Sequence, residues 1–316
     1  MIVTAIIPCR NEEKLIAKCL LSIIENDYPK DELEILVVDG LSEDETKTIV
    51  ERYEKKYPFI EYLKNEKKII PAAMNIGIAK AKGDVIMKMD AHATYQKDYI
   101  SQCVHYLTKY NADNVGGILI TRPRENTSQA KAIALCLSHP FGAGSSPFRS
   151  ASASKIPQEV DTVAFGCYRR NVFKRIGLYN ENLIGSSDMD LNIRLKKAGG
   201  KILLAPEVIA YYYPESTFKK FFTHNIRDGI WALYPYKFTR GLLRPRHLVP
   251  LAFVLMVLFF PPLFFPYFFI SFIASAHIAL RERDARYIVM MPIAFFIRHF
   301  VYGIGSLWGL IKIIGN

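Results

Sequence analysis

The sequence predicts an α/β fold with a mostly parallel sheet, followed by C-terminal membrane-embedded helices. Three observations lead there. Short apolar, β-branched runs alternate with segments of helical periodicity through the first third of the chain, the pattern of a parallel sheet covered by helices on both faces. Polar residues that can bind ligands, Asp39, Asp90 and His92, stand where such runs end, and ligands collect beyond the carboxyl ends of strands in such sheets. Charge nearly vanishes after Leu248, where only Arg281, Glu282, Arg283, Asp284, Arg286, Arg298 and Lys312 are charged.

That shift in composition divides the 316 residues into a globular part, 1–235, and an interfacial and transmembrane part, 236–316. The formal net charge is +11. With an apolar tail attached, it suits an anionic membrane surface or phosphorylated substrates. No long basic run or nucleic-acid motif occurs, so nucleic acid is not an expected partner. The five cysteines, Cys9, Cys19, Cys103, Cys136 and Cys167, form no CxxC pair. Reduced thiols and a cytoplasmic globular part follow. Met1–Pro8 lacks the basic region of a signal peptide and is expected to be a strand.

In chain order, Ile2–Ile7 is the first strand, ending at Pro8. Lys14–Asn26 has helical spacing. Glu34–Val38 is the second strand, with Asp39 at its end. Ser42 and Glu45 form a candidate capping box for a helix through about Tyr57. Ile60–Leu63 is a third strand and Pro71–Lys82 a helix. Val85–Met89 then runs into Asp90-Ala91-His92. In extended backbone, residues two apart face one way, so Asp90 and His92 can meet one cation. An oxygen and an imidazole suit Mn²⁺, or Mg²⁺ if phosphate and water fill most positions. The tripeptide alone equally fits an N-cap aspartate and a surface histidine, and Asp39 also fits a turn residue. Neither GxGxxG nor GxxxxGK[ST] occurs, which argues against dinucleotide oxidoreductases and P-loop ATPases.

Asp98–Tyr110 is an expected helix and Val115–Ile120 a strand. His139–Arg149, rich in Gly, Ser and Pro, predicts a long loop, either a lid or a connector. Thr162–Arg170 is a strand entering a turn. Ser187–Leu195 begins a helix with Asp188 and Asp190 in its first turn. Acids there complement the helix dipole; a carboxylate there can also serve as general base, taking a proton from an attacking hydroxyl. Lys201–Ala205 and Val208–Tyr213 are expected strands. Ser216–Leu233 is an amphipathic, basic, aromatic helix suited to a membrane interface or to a core. Arg240–His247 forms a basic collar. Leu248–Leu280 exceeds the roughly 20 residues of one crossing, and Pro261, Pro262 and Pro266 interrupt it. Basic residues at both ends favour a hairpin over one kinked span. Arg298-His299 interrupts the last apolar stretch, Tyr287–Ile314, which fits either one further crossing or a re-entrant interfacial pair.

Ile6–Glu13, Val38–Thr46 and Met89–His92 resemble family-2 glycosyltransferases of the GT-A fold, a Rossmann-like nucleotide-binding architecture. The D-A-H variant and the Gly/Ser/Pro segment resemble the ExoA-like subgroup, and the likeness runs over nearly the whole chain. The resemblance implies that Asp39 meets the nucleotide base and that Asp90 and His92 hold the metal, Mn²⁺ or Mg²⁺, and the diphosphate. It also implies nucleotide-sugar contacts from Pro8, Arg10, Asn11, Glu12 and Asn75, and places the general base at Asp188 with Asp190 and Arg194 as helpers. His224–Trp231 resembles the QxxRW region of processive synthases with departures; Arg227 is left to meet the leaving diphosphate and Trp231 to line the acceptor site.

The expected protein is therefore an inverting, metal-dependent glycosyltransferase, multi-pass in the cell membrane with its catalytic domain cytoplasmic. It takes a nucleotide sugar, expected to be a UDP-sugar, and a lipid-linked saccharide acceptor for polysaccharide or glycolipid synthesis. Two alternatives stand beside it: transfer directly to polyprenyl phosphate, and a non-catalytic membrane subunit that binds nucleotide sugar.

Overall fold

The computed structural model describes residues 1–144, 147–150, 156–238 and 245–315. By packing, the chain divides into two compact units, Met1–Ile120 with Ala151–Tyr212, and Thr121–Ser150 with Tyr213–Asn316. The 235/236 division is thus one of composition, while the packing boundaries fall elsewhere.

The first unit is one mixed sheet. Its strands are β1 (Val3–Cys9), β2 (Leu33–Asp39), β3 (Ile60–Lys64), β4 (Val85–Lys88), β5 (Ala93–Tyr95), β6 (Asn114–Thr121), β7 (Gln158–Glu159), β8 (Ala164–Arg169) and β9 (Ile202–Tyr212). Their order is β3-β2-β1-β4-β8-β6-β9-β5, with β7 beside β9. Pairing is parallel from β3 to β4; β4–β8, β6–β8, β5–β9 and β7–β9 pair antiparallel. The continuous apolar runs of β1 and β2 are buried on both faces, as central parallel strands require. Helix Ile70–Lys80 lies so close to β1 that a Cβ on Gly77 would stand 2.6 Å from the Ile6 side chain.

β1 lies between β2 and β4, so the chain order reverses there. In α/β sheets the crevice beyond such a point takes the ligand. The turns after β1, β2 and β4 carry the motifs singled out in the sequence.

The second unit is helical. Helix Ser128–Ser138, unforeseen in the sequence, buries Ala132 and Cys136 against Ile278, Ala279, Tyr287, Met291, Ala294 and Phe295. The expected loop at 139–149 is short helix instead, Pro140–Ala143 and Pro147–Ser150, with 145–146 outside the described residues. The His139 side chain accepts the Phe141 N–H, and Pro140 fits the first helical position, where it forfeits no hydrogen bond.

Helix Phe218–Leu233 is capped by the Thr217 side chain, which accepts the Lys220 N–H. It packs on helix Tyr302–Ile314 through glycine. A Cβ on Gly305 would stand 2.3 Å from the Ile226 carbonyl oxygen, and one on Gly309 equally close to that of Ile230. Helices Pro245–Phe259 and Phe264–Glu282 are separated by the turn Pro261–Leu263; residues 240–244 of the expected basic collar lie outside the described residues.

Arg298-His299 interrupts the apolar run without breaking the helix, which fits the single-crossing alternative. Helix Tyr287–Phe296 continues through a π-helical turn, Ile297–Val301, into Tyr302–Ile314. Both polar side chains are satisfied: Arg298 donates to the Gly142 carbonyl and to Asn225, and His299 donates to the Phe141 carbonyl. Among the described residues, Pro261–Glu282 and Tyr287–Ile314 are long and apolar enough to cross a membrane.

Candidate active site

Asp39, the last residue of β2, is buried. A buried carboxylate needs donors, and it draws in the turn that follows. Its oxygens accept the Ser42 N–H and hydroxyl and, at 2.9 Å, the Tyr62 hydroxyl. Ser42 is therefore no helix cap. The helix starts later, at Thr46, whose N–H donates to Asp44. The Ser42 hydroxyl also accepts the Asn11 N–H, and the Asn11 side chain accepts the Glu43 N–H. These bonds lock the turns after β1 and β2 together. Asn11 and Leu41 both hold left-handed backbone, φ 55°, a cost that persists only where surroundings dictate it.

Pro8 lies within β1 opposite Val38. Arg10 is exposed and pairs with Glu43 at 3.4 Å. The Glu12 carboxylate meets His92 Nδ1 at 3.0 Å. Asp90-Ala91-His92 is a tight turn, closed by the Ala93 N–H donating to the Asp90 carbonyl. The extended-strand reasoning that paired Asp90 with His92 therefore does not hold. The residue that shares a side with Asp90 along the strand exit is Lys88, whose Nζ lies 3.7 Å from Asp90 Oδ1.

Lys88 was missed in the sequence, where a lone lysine in an apolar run carries no signal. It is 8% exposed. Its Nζ donates to Asp188 Oδ2 at 2.5 Å. Burial works against its charge, but Asp188 and then Asp90 outweigh burial and hold its pKa above the ordinary lysine value.

Asp188 stands in the first turn of helix Ser187–Lys197. Its side chain is 38% exposed, with Oδ1 turned inward. Asp190, its neighbour in sequence, is fully buried and holds Arg194 at 2.9 Å. Arg194 in turn donates to the carbonyls of Ile176 and Leu178. This pair fixes a turn, which separates its role from that of Asp188. Asn75 braces the same turn: it accepts the Tyr179 N–H and donates to the Tyr179 carbonyl and Glu181. Lys67, then Asn75, hold the Glu181 carboxyl below its ordinary value by hydrogen bonding.

Arg227 and Trp231 belong to the second unit. Arg227 donates to His224 Nδ1 at 3.3 Å, His224 Nε2 lies 3.0 Å from Asp228, and Trp231 packs edge-on against Tyr234.

Among the described residues no group of three or more His, Cys, Asp and Glu forms a metal cage. Asp90 and His92 offer two donors of different kinds. The contact of His92 Nδ1 with Glu12 is the kind that fixes ring orientation and tautomer in metal-binding histidines. This donor set suits a cation that draws its other ligands from substrate and water.

A mixed sheet whose order reverses beside β1 is the architecture of a Rossmann-like GT-A fold. The family described as Glycosyl transferase family 2 matches residues 4–177, and the chain belongs to it. It is 32% identical to a dolichyl N-acetyl-alpha-D-glucosaminyl phosphate 3-beta-D-2,3-diacetamido-2,3-dideoxy-beta-D-glucuronosyltransferase of Methanococcus voltae, over 98% of this chain and 97% of that one. It is 27% identical to the succinoglycan biosynthesis protein ExoA of Rhizobium meliloti, over 78% of this chain and 74% of that one. Among solved structures it resembles the mannosyltransferase PcManGT of Pyrobaculum calidifontis, in complex with GDP-Man and Mn²⁺. That likeness has TM-score 0.62 and 20% identity, over 97% of this chain and 87% of that one. The protein is a glycosyltransferase.

Proposed function

We propose that this glycosyltransferase inverts the anomeric centre while moving a sugar from a UDP-sugar to a hydroxyl of a lipid-linked saccharide at the membrane. Asp188 is the general base. The observation that carries the reading is its geometry: a partly exposed carboxylate at a helix start, tied through Lys88 to Asp90 at the nucleotide end of the sheet.

The acceptor oxygen bonds to the anomeric carbon while its proton passes to Asp188. The bond from that carbon to the diphosphate oxygen breaks, and the nucleoside diphosphate departs with the electron pair. Asp39 receives the base, within the turn that Ser42 and Tyr62 brace. Asp90 and His92 would hold Mn²⁺ or Mg²⁺, which supplies positive charge to the diphosphate. Pro8, Arg10, Asn11 and Glu12 line the donor side. The two long apolar helices would anchor the protein in the membrane, and the lipid-linked acceptor named for the Methanococcus voltae relative supports membrane association; we propose a multi-pass arrangement with a cytoplasmic catalytic unit.

The test uses full-length protein in detergent, lipid-linked acceptors, and panels of UDP- and GDP-sugars with Mn²⁺, Mg²⁺ or a chelator. Metal-dependent release of UDP is expected. Release of GDP alone would reject the UDP assignment, and unchanged turnover with chelator would reject the metal. Asp188→Asn is expected to lower kcat by about 10²- to 10⁴-fold, the usual worth of a general base, with nucleotide binding kept.

A further inference from the structure

We propose that Lys88 is a positioning residue for glycosyl transfer, tying the carboxylate that receives the acceptor proton to the carboxylate on the donor side. The inference rests on the reaction proposed above.

Three features single Lys88 out. It is the last residue of β4, where the strand opens on the crevice. It is almost wholly buried, and its ammonium reaches two acids from distant parts of the chain, Asp188 Oδ2 at 2.5 Å and Asp90 Oδ1 at 3.7 Å.

The geometry also orients Asp188. Its Oδ1 is turned inward, so an acceptor approaches the edge that carries Oδ2, the oxygen Lys88 holds. A carboxylate oxygen has two lone-pair directions. The ammonium occupies one and leaves the other for the acceptor hydroxyl. A carboxylate without this tie would sample other rotamers, and a misplacement of about 1 Å can cost 10²-fold in rate.

Two simpler roles fit less well. A phosphate ligand would present its ammonium to the crevice, whereas Lys88 faces two carboxylates. A purely stabilising role is weak, because a buried ion pair stabilises a fold little better than an apolar side chain of similar volume.

The test compares full-length Lys88→Met, Lys88→Arg, Asp188→Asn and the Asp188→Asn/Lys88→Met pair in detergent; Lys88→Gln takes the place of Lys88→Met if that variant does not fold. UDP binding is measured without acceptor, turnover with it, and the melting temperature throughout. Lys88→Met is expected to lower kcat about 10²-fold while donor KM and the UDP dissociation constant stay within about threefold. Lys88→Arg should recover about tenfold, since a guanidinium keeps the charge in a different shape. In the Asp188→Asn background, Lys88→Met should cost less than about threefold more, because the base it positions is gone.

An unchanged kcat, a UDP dissociation constant weakened about tenfold or more, or multiplying losses in the double variant would each overturn the role. If the unaltered protein transfers no sugar, the reaction proposed above fails, and the melting temperatures still judge the tie between Lys88 and Asp188. Non-additive shifts support it, and additive shifts overturn it.

Discussion

At the scale of single residues, the donor side of the site is a set of side chains that hold one another. Glu12 leaves the turn after β1 and meets His92 from the turn after β4 at 3.0 Å. Glu12→Gln keeps the shape but removes the charge that orients the imidazole. Outer-shell partners of this kind are typically worth 10- to 100-fold in metal affinity. We therefore expect Mn²⁺ to support UDP binding in Glu12→Gln only at about 10- to 100-fold higher concentration; an unchanged titration would separate Glu12 from the metal. Asp39 and Asp90 were legible in the sequence because each ends an apolar run. Lys88 was not, because nothing in a single strand tells whether a lysine at its exit points to solvent or to an acid a hundred residues away. The extended-strand argument for Asp90 and His92 went astray for a related reason. Alternation assumes extended backbone, and the chain turns at Ala91.

At the scale of elements, the turn before helix Ser187–Lys197 decides where Asp188 stands. It is braced by Arg194 from the helix and by Asn75 and Lys67 from the other side. Hydrogen bonds from Lys67 and Asn75 hold the Glu181 carboxyl below its unfolded value, so this brace is present above that value and weakens as pH falls through the lowered one. Protection of the Tyr179 amide, measured relative to its intrinsic exchange rate, should fall as pH drops below the ordinary glutamate range, and Glu181→Gln should abolish most of that pH dependence. Pro206 hid another element. Proline inside a strand argues for a break, so two short strands were expected where β9 runs unbroken from Ile202 to Tyr212 and pairs with both β5 and β7. The glycine contacts of helix Tyr302–Ile314 leave no room for a side chain. Gly305→Leu would push that helix off Phe218–Leu233, and overpacking costs about 1–3 kcal/mol or more. A lower melting temperature in detergent and aggregation of the variant are the expected readouts.

At the scale of the whole molecule, the composition shift near Leu248 was the most legible feature. The large side chains after it, among them Phe259, Phe265, Phe269 and Leu280, are strongly exposed. Such a surface calls for a lipid or detergent covering. The protein should pellet with membranes, resist extraction by high salt and by alkaline carbonate, and be released by detergent; release by salt would reduce the attachment to electrostatics. The parallel half of the sheet was legible because buried parallel strands are continuous apolar runs. The antiparallel half was not fully legible, since its pairing joins residues far apart in the chain, such as β5 with β9.

The glycine seam also has a consequence for biosynthesis. The first unit draws on no residue beyond Tyr212. Helix Phe218–Leu233, by contrast, meets its partner only once residues 302–314 have left the ribosome. At about 5–20 residues per second, that leaves the seam open for about 5–20 s of translation. The seam of Gly229, Gly305 and Gly309 therefore closes late in synthesis, after every residue of the first unit is already available.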